Sequence, residues 1–168
     1  AVGTLAHALA GNPTQAIKVI GVTGTNGKSS TVTLVSHVLE TCGHKTACLG
    51  TLGYSFAGET LAAAHTTPFG EDLADVFRRA KAAGCTHAVM EASSHSLEQE
   101  RVAGIEFFAG AFTNLTQDHL DYHADMDDYR NAKLKLFERI TGDGRFTVVN
   151  VEDSSAKAFI AASRVPCH

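Results

Sequence analysis

A chain of 168 residues that is 44% hydrophobic carries enough apolar material for one buried core, and a single domain is the default. Its 14 Lys and Arg against 18 Asp and Glu leave a net charge of −4, which excludes a broad basic face for nucleic acid or an anionic membrane, so a polyanion must be gripped locally. No apolar run approaches the roughly 18 residues of a spanning helix, no signal-peptide succession opens the chain, and Cys42, Cys48, Cys85 and Cys167 form no CxxC pair; the expectation is a cytoplasmic monomer with buried, structural thiols.

Along the chain, Lys18 to Val22 is a short apolar strand that runs into glycine-rich sequence, and Ser29 to Glu40 carries Val32, Val35 and Leu39 at helical spacing. Residues 21–30, between and across them, read GVTGTNGKSS. Strand, glycine loop and helix in that order let backbone N–H groups and a helix N-terminus cradle phosphate oxygens. Gly24 and Gly27 allow the sharp turn, Lys28 can place a positive charge on the β and γ phosphates, and Ser29 can reach Mg²⁺. The nucleotide-binding set is therefore Gly24, Thr25, Asn26, Gly27, Lys28, Ser29 and Ser30. The strict phosphate-loop pattern wants glycine at position 22, where this chain has Val22, so Gly21 or Gly24 must serve that turn.

Thr46 to Leu49 and Leu52 to Phe56 follow as strands, and after a polar, alanine-rich passage Pro68 stops regular structure. A helix from Glu71 to Ala83 repeats Leu73, Val76, Phe77 and Ala80, ends at Gly84 and feeds an apolar strand, Ala88 to Met90. Glu91 at the end of that strand is placed to hold the Mg²⁺ of a bound nucleotide. The adjacent Ser93, Ser94 and His95 do not make a hydrolase triad, because sequence neighbours rarely face one another and no GxSxG elbow is present.

Phe107 to Phe112 is a further strand, followed by NLTQDHLDYH from Asn114 to His123. Its Asp118, His119, Asp121 and His123 could ligate a hard or borderline cation, although the aspartates could equally cap a helix and the histidines serve as loop residues; the cysteine spacing does not support zinc. A helix from Met126 to Ile140 shows Met126, Tyr129, Leu136, Phe137 and Ile140 on one face with Lys133 interrupting it. Periodicity alone favours a lysine that snorkels toward solvent at the edge of the core. Phe146 to Val149 is the last strand, and Ser154 to His168 holds a final helix. Alternating strands and helices predict an α/β domain with a mostly parallel sheet flanked by helices, its ligand site at the carboxyl ends of the strands, where the glycine loop, Glu91 and Asn114 converge.

TGTNGKSS, HTTP, MEASSHSLEQERV, NLTQDHLDYH and YRNAKLKLF occur in the order and near the spacing of the Mur ligase central ATP-binding domain, and from Val19 to Asn150 the chain resembles that family. The forms HTTP, EASSHSL and DHLDYH are similar to its MurE branch rather than to MurC, MurD or MurF. The resemblance implies an ATP-dependent carbon-nitrogen ligase of peptidoglycan precursor synthesis. In such a ligase the γ-phosphoryl of ATP activates the carboxylate of UDP-N-acetylmuramoyl-L-alanyl-D-glutamate as an acyl phosphate, and a diamino acid, meso-diaminopimelate or L-lysine, attacks it. The resemblance also puts Lys28 on the phosphates, Ser29 and Glu91 on one Mg²⁺ and His119 beside a second, with Lys28, Lys133 and His119 as the catalytic set. It aligns Lys133 with the family's carbamylated lysine, a modification that turns the amine into a metal-binding carboxylate and accounts for the charge on the apolar face. Thr66, Thr67, Ser93, Gln99 and Arg101 match residues that hold the muramoyl peptide.

The family's usual NADD stretch reads Asn150, Val151, Glu152, Asp153 here. The expectation is a central domain over 1–168, cut short of a later helix that helps bind adenine and lacking the amino-terminal UDP-binding and carboxyl-terminal amino-acid-binding domains, so that the fragment alone is inactive. A nucleotide-binding regulatory module without ligation, or another carboxylate-amine ligase such as a polyglutamate-adding enzyme, is the alternative.

Overall fold

The computed structural model describes residues 2–62, 65–119 and 121–168. Ala63 and Ala64 of the alanine-rich passage, and Leu120 inside the motif from Asn114 to His123, lie outside the described residues. Helix α1 (Val2–Leu9) is followed by β1 (Lys18–Thr23), α2 (Lys28–Thr41), β2 (Thr46–Gly50), β3 (Gly53–Phe56) and β4 (Glu59–Leu61). Then come α3 (Gly70–Ala82), β5 (His87–Glu91), α4 (Ser94–Glu98), β6 (Phe107–Phe112), α5 (Met126–Glu138), β7 (Phe146–Val149) and α6 (Ala156–Ala162).

Among the described residues the strands form one sheet in the order β4-β3-β2-β5-β1-β6-β7. From β2 to β7 in that order the strands run parallel, and β3 and β4 append an antiparallel hairpin at the edge beyond β2. The mostly parallel α/β architecture expected from the alternation of elements is present. From β1 the chain passes to β2, returns to β5 beside β1, and then crosses to β6 on the other side. The carboxyl ends of β5, β1 and β6 therefore lie side by side, and the loops leaving them form the crevice in which doubly wound sheets take their ligands.

Strand residues alternate between two covered faces, as the two-residue side-chain period requires. Val22 and Val89 pack with Val32, Val35 and Leu39 of α2 on one side. On the other, Val19, Ala88, Met90 and Phe107 join Leu73 and Phe77 of α3, Leu136 and Phe137 of α5, and Phe159 of α6. Phe159 stacks on Phe112 with ring centroids 3.7 Å apart. Helix α1 lies on α3 with glycine against glycine, since a Cβ at Gly70 would sit 2.6 Å from the Cα of Gly3. Tail residues run along β7, where Thr147 N–H donates to the Pro166 carbonyl and Val149 N–H to His168.

Helices α1 and α4 and strand β4 were not foreseen. The first is rich in small residues, and the other two are too short to show a period. Of the cysteines expected to be buried, Cys85 is buried and Cys42 is exposed. No helix among the described residues is long and apolar enough to cross a membrane.

Candidate active site

The phosphate loop leaves β1 at Thr23 and turns at Gly24, whose φ of +141 and close neighbours exclude a side chain: a Cβ there would meet Thr113 Oγ1 at 2.0 Å. Gly21, the other candidate for this turn, sits inside β1, where its missing Cβ leaves room for Leu136 and Phe107. Helix α2 begins at Lys28 with Gly27 as its N-cap, no side-chain cap and no acid in its first turn. Its leading N–H groups, on Lys28, Ser29 and Ser30, are thus left for an anion and reinforced by the positive end of the helix dipole. Lys28 Nζ donates to the carbonyls of Gly24 at 2.9 Å and Thr25 at 2.7 Å, which fixes the ammonium over the loop. Burial lowers its pKa, against the raising influence of Glu91 and Asp118.

The segment after β6 braces the loop. Asn26 N–H donates to Asn114 Oδ1 and Asn114 Nδ2 donates back to the Asn26 carbonyl, both at 3.0 Å, while Thr25 N–H bonds the Asn114 carbonyl at 2.8 Å. That brace is itself tied down by the NVED stretch: Asn150 Nδ2 donates to the Thr113 carbonyl and Asp153 accepts from Leu115 N–H at 2.7 Å. The two ends of the departed NADD pattern, Asn150 and Asp153, thus have structural work, and the altered middle positions have none here.

Glu91 ends β5 directly beside Val22 of β1 and is 2% exposed. Its carboxylate accepts from Thr51 N–H at 2.8 Å and from the Thr51 hydroxyl at 3.4 Å. Gly50 makes the room, because a Cβ there would lie 2.3 Å from Oε1.

Lys133 does not snorkel, as periodicity alone would have it: it is 1% exposed, and Nζ donates to the Gly24 carbonyl at 3.0 Å while lying 4.2 Å from the Tyr129 ring centre. Tyr129 OH is 3.2 Å from Thr25 Oγ1, so α5 reaches the phosphate loop through two adjacent turns. The edge of the apolar stripe faces the loop and not solvent, which is why the lysine stays inside. Burial first and the nearby Lys28 charge second lower its pKa to about 7, with Asp118 opposing.

Thr66, Thr67, Ser93, Arg101 and His119 line a cavity of about 250 Å³ together with His65 and His95, which sequence reasoning had not assigned. Thr67 Oγ1 donates to the Glu91 carbonyl at 2.8 Å and lies 3.4 Å from Ser93 Oγ. Ser93 also caps α4 by accepting from Ser96 N–H. Arg101 donates to the Thr67 carbonyl and twice to Gln99 Oε1, over the face of Phe69. Gln99 is not among the residues that line this cavity, and its Oε1 holds the Arg101 guanidinium.

The acid and histidine cluster does not assemble as a chelate. Among the described residues no three His, Cys, Asp or Glu side chains gather as a metal-binding group. The chain turns at His119, where φ is +53, and sends its side chains to different neighbours: Asp118 accepts from His119 N–H, and His123 pairs with Asp128. The cap of α5 is Asp125, not Asp118 or Asp121. Ser29 stands on the first turn of α2, half-buried, with no bond to another of the assigned residues.

The Mur ligase middle domain family model matches residues 22–168. A UDP-N-acetylmuramoyl-L-alanyl-D-glutamate--2,6-diaminopimelate ligase of Thermosynechococcus vestitus is 50% identical over 153 residues, which is 91% of this chain and 31% of that protein. The enzyme of the same name from Geobacter metallireducens is 47% identical over 158 residues, again 91% and 31%. Among solved structures, one of a UDP-N-acetylmuramoyl-L-alanyl-D-glutamate--2,6-diaminopimelate ligase superposes with a TM-score of 0.80 at 30% identity, covering 90% of this chain and 31% of that one. Mycobacterium tuberculosis folylpolyglutamate synthase complexed with ADP and AMPPCP shares the fold at a TM-score of 0.76 and 16% identity, covering 97% of this chain and 45% of that one. The chain spans about a third of the length of the curated relatives it matches.

Proposed function

The chain belongs to the Mur ligase middle domain family, and from that premise we propose that it is the central ATP-binding domain of a cytoplasmic ligase, acting as a monomer, which adds a diamino acid to UDP-N-acetylmuramoyl-L-alanyl-D-glutamate. The observation that carries the reading is the buried amine of Lys133, brought by α5 onto the carbonyl of Gly24 in the loop that also holds Lys28. A simple nucleotide-binding module needs the loop and its own lysine; a second, buried lysine on the same carbonyl supports reading the site as one for phosphoryl transfer to a further substrate.

In this reading the first-turn N–H groups of α2 and Lys28 hold the β and γ phosphates of ATP and offset the charge that develops as the γ-phosphoryl passes to the acceptor carboxylate. Arg101, Thr66, Thr67 and Ser93 hold the acceptor in the adjoining cavity, with Gln99 fixing the guanidinium. The amine of the incoming diamino acid then attacks the acyl phosphate and phosphate leaves, a far better leaving group than hydroxide. Hard oxygen donors suit Mg²⁺: Glu91 is a buried carboxylate beside the loop, and Ser29 presents a hydroxyl from the first turn of α2. Mg²⁺ is ordinarily held by one or two carboxylates together with substrate phosphates, and Glu91 would supply one such carboxylate. When bound, the ion would neutralise phosphate charge. Lys133 would join it as a carbamate, and His119 would stand beside a second ion.

The placement of Glu91 can be tested without touching it. Gly50→Ala forces a methyl into the position 2.3 Å from Oε1. The Mg²⁺ concentration for half-maximal phosphate release should rise by about 10-fold, as for a displaced metal ligand environment, and the melting temperature should fall by a few degrees as the buried carboxylate shifts. An unaltered Mg²⁺ dependence would remove Glu91 from this role.

The function itself is tested by phosphate release from the complete gene product with Mg-ATP and UDP-N-acetylmuramoyl-L-alanyl-D-glutamate, comparing meso-diaminopimelate, L-lysine and no added amine. Release that depends on one amine supports the reading and names the diamino acid. Nucleotide binding with no amine-dependent release would replace it with a regulatory module or a ligase for another acceptor.

A further inference from the structure

His123 closes the motif that begins at Asn114, is 2% exposed, and has no part in the chemistry proposed above. Its Nδ1 lies 3.2 Å from Asp128 Oδ2, and the same carboxylate oxygen accepts from Ala124 N–H at 3.2 Å. Asp128 N–H in turn donates to Asp125 Oδ1 at 2.8 Å, so the first turn of α5 folds back onto the loop. With Nδ1–H donating to the carboxylate, Nε2 is buried and has no hydrogen-bond partner among the described residues, an arrangement that mere filling of space does not require.

Three parts of the site meet at this residue. The backbone N–H groups of His123 and Tyr122 donate to the His119 carbonyl at 2.9 and 3.1 Å, and His119 is held in a left-handed conformation that a non-glycine residue adopts only under restraint. The Tyr129 ring is 5.1 Å away, and that tyrosine supports Lys133 and touches Thr25. Tyr122, with its ring 4.9 Å away, accepts from Gln99 Nε2, whose other amide atom orients Arg101. His95, which lines the cavity, packs at 5.7 Å.

We propose that His123, oriented by Asp128, is a positioning residue that holds His119 at the cavity and Tyr129 beneath Lys133, so that the phosphate half and the acceptor half of the site keep one geometry. This rests on the ligase reading. Asp128 is the place to test it, because its side chain is 49% exposed and Asp128→Asn preserves size and the fold.

In the complete gene product, wild-type amine-dependent phosphate release first establishes the reaction; its absence would count against the ligase reading and not against the brace. In Asp128→Asn the acceptor loses its charge, so the Nδ1–H proton resonance of His123 should move upfield as the hydrogen bond weakens. Mn²⁺ binding in the presence of a non-hydrolysable ATP analogue, followed by electron paramagnetic resonance, should weaken by about 10-fold, with a matching rise in the Mg²⁺ needed for turnover. His123→Phe, which fills the space without the pairing, should lose at least as much, and the double variant no more than His123→Phe alone. Mn²⁺ affinity and turnover unchanged in Asp128→Asn, or effects that simply add in the double variant, would overturn the proposal. Should His123→Phe fail to fold, Asp128→Asn alone decides by the same metal-affinity reading.

Discussion

Replacing Lys28 by methionine in the complete protein should lower the rate of amide formation by on the order of 1,000-fold while leaving the fold intact. The side chain lies over the loop, where the carbonyls of Gly24 and Thr25 hold its ammonium beside the start of α2. Methionine keeps the stem and removes the charge. Loss should be concentrated in turnover, with a smaller weakening of nucleotide binding, because the backbone N–H groups still contact the phosphates. Steady-state kinetics alongside thermal unfolding separates the two. Turnover within a few fold of the wild type would show that Lys28 does not stabilise the transferring phosphoryl group.

Lys133→Met should lose activity by on the order of 100-fold to 1,000-fold and yet be as stable as the wild type or more so at neutral pH. The amine is enclosed by α5, Tyr129 and the Gly24 carbonyl, and methionine fills much the same volume without a charge to desolvate. Its pKa falls from the ordinary 10.5 to about 7. Between those values the unfolded chain binds a proton that the folded chain does not, so unfolding takes up a proton and stability rises with pH across that window. In buffer free of carbon dioxide the wild type should show this slope between pH 7 and pH 10 and Lys133→Met should lack it. The same depression leaves a large neutral fraction near pH 7, the form that adds carbon dioxide to give a carbamate and release a proton. Intact-mass measurement in bicarbonate should find one added carboxyl group on the wild type and none on the variant. A wild type that stays unmodified and fully active would leave Lys133 as a plain amine.

Much of this site was legible because its parts are contiguous in sequence. The phosphate loop lies within ten adjacent residues that run from the end of a strand into a helix, so local geometry determines it, and the apolar runs on either side fix its place at the carboxyl end of an interior strand. Glu91 could be foreseen from its position at the end of an apolar strand. What could not be foreseen is long-range: the lysine at 133 is visible as a charge on an apolar stripe, but its partner at Gly24 is 109 residues away, and periodicity alone sends such a side chain to solvent. Asn150 and Asp153 looked like a weakened motif, whereas they anchor the segment that braces the loop. The dense run of Asp and His between 118 and 123 suggested a chelate; the turn at His119 disperses it, and its last histidine turns inward to Asp128. Sequence density reported that the segment matters and not how its side chains divide.

The measurement that bears most directly on the central claim follows the acceptor's own oxygen. UDP-N-acetylmuramoyl-L-alanyl-D-glutamate labelled with heavy oxygen in its reacting carboxylate is turned over by the complete protein with Mg-ATP and the preferred diamino acid, and the released phosphate is weighed. Activation as an acyl phosphate requires one carboxylate oxygen to leave with the phosphate, so each phosphate should carry one heavy atom. Phosphate released without the label, at a rate matching amide formation, would contradict phosphoryl transfer to the acceptor and with it the role assigned to this site.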